Sequence, residues 1–146
     1  KNPFLVICGI GFLCISLFFI INEYGKTTLT RPFSVSEKFE DFIIHIRLEP
    51  LDEGFQVLRA IEYTGEESVE IRHRSPLIQV TVNVDNATFT GSPVKKRMEP
   101  GYQYHPQKPL TFDSLVRGEH TLYVHAQFFL GEERIDVKTK KSIHFE

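Results

Sequence analysis

Histidine is the residue of this chain best suited to chemistry, because imidazole binds metals and transfers protons near neutral pH. No two histidines have one or three residues between them, the spacings that direct two imidazoles at one metal ion from a single strand or helix. We therefore expect no metal centre, no cofactor, and histidines at the surface or at strand ends. The sequence holds six: His45, His73, His105, His120, His125 and His144.

Nucleophilic catalysis finds no support in the motifs. Ser75 in "RSPL" and Ser114 in "FDSLV" lack the Gly-x-Ser-x-Gly pattern of a hydrolase elbow. Both cysteines, Cys8 and Cys14, lie in an apolar stretch near the start of the chain, so no thiol can pair with a downstream histidine. Nothing in the sequence brings two carboxylates together as an acid and base pair. We therefore predict that this is not an enzyme.

A binding surface is the strongest remaining candidate for function. Lys95, Lys96 and Arg97 precede the Pro-rich segment "EPGYQYHPQKP", which holds Tyr102 and Tyr104. Aromatic and arginine side chains anchor protein interfaces, so we predict a possible protein-binding loop made of these five residues. The alternative is that the tyrosines cover the open end of the domain and the three cations are solvated.

Composition narrows the class of protein. Seventeen Lys and Arg balance nineteen Asp and Glu, giving a net charge of -2 without a basic block, so nucleic acid is not an expected partner. About 125 residues follow the apolar stretch, a common size for one compact domain. The abundance of Val, Ile, Phe, Tyr and Thr in those residues favours sheet over helix.

Alternating apolar residues predict the strands. In "FIIHIRL", Phe42, Ile44, Ile46 and Leu48 share one face. "LIQVTVNV" alternates in the same way through Val84, after a break expected at Ser75 and Pro76, and two further alternating segments suggest a closing hairpin. We predict an all-β fold, an antiparallel Ig-like β-sandwich of about seven strands, with a small barrel as the alternative. On an outward strand face, Tyr123 and Phe129 either pack under a loop or mark a partner site.

The N-terminal stretch from Pro3 to Ile21 contains no charged residue. As a helix it is roughly 28 Å long, close to the thickness of a bilayer's hydrocarbon core. We predict a transmembrane helix as an anchor at 1–22, a polar tether at 23–35 and the domain at 36–146. A cleaved signal and a buried helix are the alternatives. Lys1 before the span and Glu23 after it favour a cytoplasmic N-terminus and an extracytoplasmic domain at the plasma membrane.

Three segments in order suggest a family: "IEYTGEESVEIRHRSP", "MEPGYQY" and "LVRGEHTLYVHAQF". Their polar turn, Pro-Gly step and late Gly resemble the intracellular proteinase inhibitor family of Gram-positive bacteria, the BsuPI-type domain, over roughly Phe55 to Leu130. The resemblance implies an Ig-like fold and protease inhibition. Tyr63 stands where the family usually has Asn, and the chain has no Trp. A membrane-anchored Bacillus-type relative fits these features better than an intracellular inhibitor.

These observations lead to one functional hypothesis and two alternatives. The leading hypothesis is a single-pass membrane protein, held by residues 3–21, whose outer sandwich binds or scaffolds a protein of the cell envelope. The first alternative is a protease inhibitor or regulator of the BsuPI type. An enzyme is a distant third.

Overall fold

The computed structural model of the protein describes residues 27–146, so the expected anchor at 1–22 lies outside the described residues. In the described part no helix is long and apolar enough to cross a membrane. Nine strands form there: β1 (Phe33–Phe39), β2 (Phe42–Pro50), β3 (Phe55–Tyr63), β4 (Val69–Val82), β5 (Pro93–Met98), β6 (Gln103–Tyr104), β7 (Leu110–Phe112), β8 (Gly118–Leu130) and β9 (Glu133–Phe145).

The strands build two antiparallel sheets. One has the order β1-β2-β3-β6, with β7 also pairing with β3, and the other has the order β5-β4-β8-β9. The prediction of an all-β, antiparallel sandwich is thereby confirmed at the level of its two sheets, with nine strands in residues 27–146 against about seven expected. Strand β1 begins at Phe33, ahead of the expected domain start at residue 36, and Leu29 is already buried against the sheets.

The core lies between the two sheets and follows the predicted alternation. Phe42, Ile44, Ile46 and Leu48 are all buried. Val84 departs from its predicted place inside: it is 56% exposed, because β4 ends at Val82 and Asn83 turns the chain with a φ of 63°. The largest fully buried side chains include three phenylalanines, Phe55, Phe128 and Phe145.

Strand β4 continues through the Ser75-Pro76 step at which the sequence predicted a break. It changes register against β8 between His73 and Ile78. At Ile78 the Gln107 side chain replaces a neighbouring strand: its Oε1 accepts the Ile78 N–H at 3.1 Å, and its Nε2 donates to the Ile78 carbonyl at 3.0 Å. The bulge is tolerated because these backbone groups keep their hydrogen bonds.

Replacing the glutamine at the bulge tests this role. We expect Gln107→Ala to lower the free energy of unfolding by about 1–3 kcal/mol, because it leaves the part-buried Ile78 N–H without its acceptor, although the Ile78 carbonyl keeps its bond from Arg59. Gln103→Ala is the matched control: Gln103 is exposed, its bond to Glu62 is long at 3.4 Å, and a change within about 0.5 kcal/mol is expected. Urea unfolding of both variants measures the difference, and equal losses would contradict the role of Gln107.

Candidate functional site

The structure divides the five residues of the predicted binding loop between two groups. Lys96 lies on the inward side of β5, and its Nζ is 5.1 Å from the ring centroid of Tyr102 and 5.2 Å from that of Tyr104. We call Lys96, Tyr102 and Tyr104 the edge cluster. Lys95 and Arg97 are exposed on the opposite side of β5, so the strand's alternation separates them from it.

The flanking cations have carboxylate partners on their own side. Lys95 Nζ is 3.8 Å from Glu70, and Arg97 Nε is 2.6 Å from Glu99. Glu99 also accepts a hydrogen bond from the Ser68 hydroxyl. Since all of these side chains are largely exposed, the pairs contribute little to stability and serve mainly to orient the cations.

A tight turn fixes the backbone of the edge cluster. Tyr102 N–H donates to the Glu99 carbonyl at 3.0 Å across Pro100 and Gly101, and Gly101 has a φ of 78°. Pro followed by Gly with positive φ is the sequence that a type II turn requires. The turn is joined to the end of β3, because Gly101 N–H donates to the Tyr63 carbonyl at 2.8 Å and Tyr63 N–H donates to the Tyr102 carbonyl at 3.0 Å.

Tyr104 connects the edge cluster to the other sheet through His73. The His73 Nδ1–H donates to the Arg74 carbonyl at 2.7 Å, so in neutral His73 the Nε2 accepts the Tyr104 hydroxyl at 3.1 Å. His73 is 3% exposed, and burial lowers its pKa although the bond to Arg74 opposes this. Burial raises the pKa of Tyr104, an effect that Lys96 opposes and Tyr102 reinforces. At neutral pH the contact therefore joins two uncharged groups.

The expectation of histidines at the surface or at strand ends is wrong for His73 and His125, which lie in the interior of β4 and β8, whereas His120 lies near the start of β8. His73, His120 and His125 are buried, and each has a hydrogen-bond partner that the sequence does not reveal. His120 Nε2 lies 2.7 Å from the Val116 carbonyl, and His125 Nε2 lies 2.7 Å from Asp136. Within residues 27–146 no group of three or more His, Cys, Asp or Glu side chains is placed to hold a metal ion.

A Ser–His–Glu hydrogen-bond network that the sequence did not indicate crosses three neighbouring strands. Ser36 Oγ is 2.9 Å from His45 Nδ1, and His45 Nε2 is 2.6 Å from Glu62. Two donors line the same groove: Gln103 bonds to Glu62, and Arg59 bonds to two carbonyl groups through its Nη atoms, while its buried Nε has no hydrogen-bond partner in the described structure. We interpret these contacts as a hydrogen-bond network that connects β1, β2 and β3.

The two serines considered from sequence have structural surroundings. Ser75 lies in the β4 bulge, where its N–H donates to the Ser92 carbonyl at 3.1 Å. Ser114 Oγ accepts the Gly54 N–H at 2.9 Å. Each serine therefore contributes to holding a loop in place.

The outer face of the β5-β4-β8-β9 sheet carries a second site that the sequence did not reveal. Arg72 and Arg74 from β4 and Arg134 from β9 line a cavity of about 330 Å³ together with Phe89 and Phe129. We call it the arginine cavity. Arg72 and Arg134 are 62 residues apart in the chain, so the cavity could be predicted only from the strand register.

The two outward aromatics of β8 have different surroundings. Phe129 lies under Arg72, whose guanidinium carbon is 5.1 Å from the ring centroid. Tyr123 lines a separate cavity with Lys138 and Lys140. Phe129 therefore belongs to the arginine cavity and Tyr123 does not.

No protein-family model, curated protein or solved structure matches the chain.

The pKa of His73 predicts how stability depends on pH. Because the folded protein binds this proton less readily, the unfolded chain takes it up first as the pH falls below about 6.5. The contribution of neutral His73 is complete above that pH and is lost as the pH falls toward the lower folded pKa. We expect His73→Asn to reduce the loss of unfolding free energy between about pH 7.5 and pH 5.5.

Urea unfolding across this pH range measures the effect. His105→Asn is the matched control, because His105 is exposed and directly follows Tyr104 in the chain. If both variants alter the pH dependence equally, the assignment to His73 is wrong.

Proposed function

We propose that this chain is a single-pass membrane protein whose sandwich domain lies outside the plasma membrane and binds a protein of the cell envelope without catalysing a reaction. The uncharged stretch of residues 3–21 supports the anchor, since its length as a helix matches a bilayer core. Residues 27–146 contain no cysteine, so the domain folds without disulfides and cannot form incorrect ones in an oxidising environment outside the cell.

We also propose that the sandwich is of the Ig-like type. The order β5-β4-β8-β9 corresponds to strands C′, C, F and G of an immunoglobulin-type sheet. In the other sheet, β2 corresponds to A, β3 to B, and the two short strands β6 and β7, which both pair with β3, together to E. In this assignment β1 is an additional strand next to A. The strand order, together with the resemblance of three sequence segments, supports this fold type.

The observation that carries the binding proposal is the preorganisation of the edge cluster. Tyr102 is 40% exposed, yet the turn behind it is fixed by three backbone hydrogen bonds, and Tyr104 is fixed by His73. A binding surface that is rigid before association loses little conformational entropy on binding. Tyrosine side chains on such a surface supply large contact area with few rotatable bonds.

The charge around the edge cluster indicates the chemistry of the partner. Lys96 lies within the cluster, and Lys95 and Arg97 extend from the same edge strand. A partner with an acidic rim and an apolar centre would complement this arrangement, because charge complementarity at the rim directs association and aromatic contacts at the centre hold the complex.

Protease accessibility tests the proposed topology. We expect protease added to intact cells to remove a C-terminal tag, while the membrane-bound form keeps a mass that includes residues 3–21. A protected tag together with a retained span would reverse the orientation and place the domain in the cytoplasm. Loss of the span from the mature mass would replace the anchor by a cleaved signal.

Photocrosslinking in intact cells tests the proposed surface. A photoreactive phenylalanine in place of Tyr102 is expected to give a discrete crosslinked product, and Lys96→Glu is expected to remove it. Tyr102→Ala should weaken binding of the captured partner about thirtyfold, equivalent to about 2 kcal/mol. The matched control carries the same photoreactive residue in place of Tyr123, on the outer sheet face, and an identical product from both positions would contradict the assignment.

A protease inhibitor or regulator is the alternative proposal, and the family resemblance alone favours it. Stoichiometric inhibition of a subtilisin-type protease by the full chain would support the alternative over envelope binding. Digestion or indifference would remove it.

A further inference from the structure

The arginine cavity is built by direct cross-strand neighbours. Arg72 is opposite Phe129 in the β4–β8 pair, and Phe129 is opposite Arg134 in the β8–β9 pair. On the other side of Arg72 its neighbour in β5 is Lys95. Lys95 and Arg72 are like charges directly opposite one another, an arrangement that destabilises a sheet, and Arg72 and Arg134 flank the Phe129 ring. An anion near these cations would relieve their repulsion.

Each guanidinium is oriented by a contact that uses a small part of its donors. Arg74 Nη1 donates to the Gly91 carbonyl at 3.2 Å, and Arg134 Nε forms an ion pair with Asp136 at 2.9 Å. Arg72 stacks on Phe129. A guanidinium has five N–H groups, so these contacts engage only part of the donor capacity of the three arginines.

Asp136 is the carboxylate next to the cavity, and its own hydrogen bonds occupy it. Burial tends to raise its pKa, but hydrogen bonds from Gln127 and His125 and the charge of Arg134 outweigh burial and lower that pKa. One ionised carboxylate against Arg72, Arg74 and Arg134 leaves a local charge of about +2, which matches a phosphomonoester at neutral pH.

The size and walls of the cavity select among anions. Its volume of about 330 Å³ is at the lower end of organic ligand sites and large for a bare ion. Phe89 reaches the outer face of the sheet from the loop before β5, and its ring contacts His125 at 4.7 Å between centroids. Phe89 and Phe129 therefore offer apolar walls to the organic part of a ligand.

We propose that the arginine cavity binds an organic phosphate, with the phosphate group held between Arg72, Arg74 and Arg134 and its organic part against Phe89 and Phe129. Guanidinium groups match phosphate oxygens in pairs of parallel hydrogen bonds, which a lysine ammonium cannot do. The three arginines lie on the outer side of β4 and β9, whereas His73, which also lines the cavity, directs its Nε2 to Tyr104 of the edge cluster.

Calorimetric titration of the full chain in non-ionic detergent tests the site with two probes. Glycerol 3-phosphate represents a free phosphomonoester, and glycerophosphoglycerol represents the headgroup of an anionic lipid or a phosphodiester polymer. We expect at least one probe to bind saturably, and the tighter of the two indicates the source of the natural ligand. Arg74→Gln and Arg134→Gln should each weaken binding at least about tenfold, and Arg74→Lys should weaken it almost as much because the planar fork is lost.

Lys138→Gln is the matched control, because it removes one cation from the same sheet face outside the arginine cavity. We expect it to change the affinity less than about twofold. Three results would overturn the proposal: neither probe binds saturably, Lys138→Gln weakens binding as much as Arg74→Gln does, or inorganic phosphate binds as tightly as both organic probes. Crosslinking from position 102 should be unaffected by Arg74→Gln, which separates this test from that of the edge cluster.

Discussion

The backbone of Ile78 is the point on which the arrangement of this sandwich depends. Strand β4 pairs with β8 on both sides of the bulge, but with different register, and its pairing with β5 ends at Arg74, so none of the described strands lies on that side of Ile78. Gln107 bonds both the N–H and the carbonyl of Ile78, and Arg59 donates to the same carbonyl from β3 in the other sheet. These three hydrogen bonds, which we call the Ile78 clamp, connect the loop between β6 and β7, the bulge and the opposite sheet. Burial lowers the pKa of Arg59, yet arginine remains charged far above neutral pH, which strengthens its bond to the carbonyl.

The three residues before the bulge connect the fold to both candidate sites. His73 points inward and meets Tyr104, while Arg72 and Arg74 point outward into the arginine cavity. Alternation along one short length of β4 thus supplies side chains to two surfaces of opposite orientation. Because the Ile78 clamp holds β4 in place, it also holds the side chains that β4 contributes to both surfaces. A change in the bulge would therefore displace both sites at once.

Charge is distributed unevenly over a chain whose net charge is only -2. The outward positions of β4, β5, β8 and β9 together carry seven cations and three carboxylates. The cations are Arg72, Arg74, Lys95, Arg97, Arg134, Lys138 and Lys140, and the carboxylates are Glu70, Glu119 and Asp136. Net charge therefore conceals a basic sheet face, and the absence of a basic block in the sequence does not imply the absence of a basic surface. Such a face attracts anionic ligands and concentrates them near the arginine cavity.

The sequence by itself determined the all-β class and the inward faces of its clearest strands, because alternation is a local property that burial of one sheet face imposes directly. It also indicated that Lys96 and the two tyrosines lie close together, since a single turn separates them in the chain. It did not indicate the course of β4 through Ser75 and Pro76, the burial of His73, His120 and His125, the Ser36–His45–Glu62 network or the arginine cavity. Each of these depends on which residues become neighbours across strands distant in sequence, and strand register is decided by the packing of the whole sandwich.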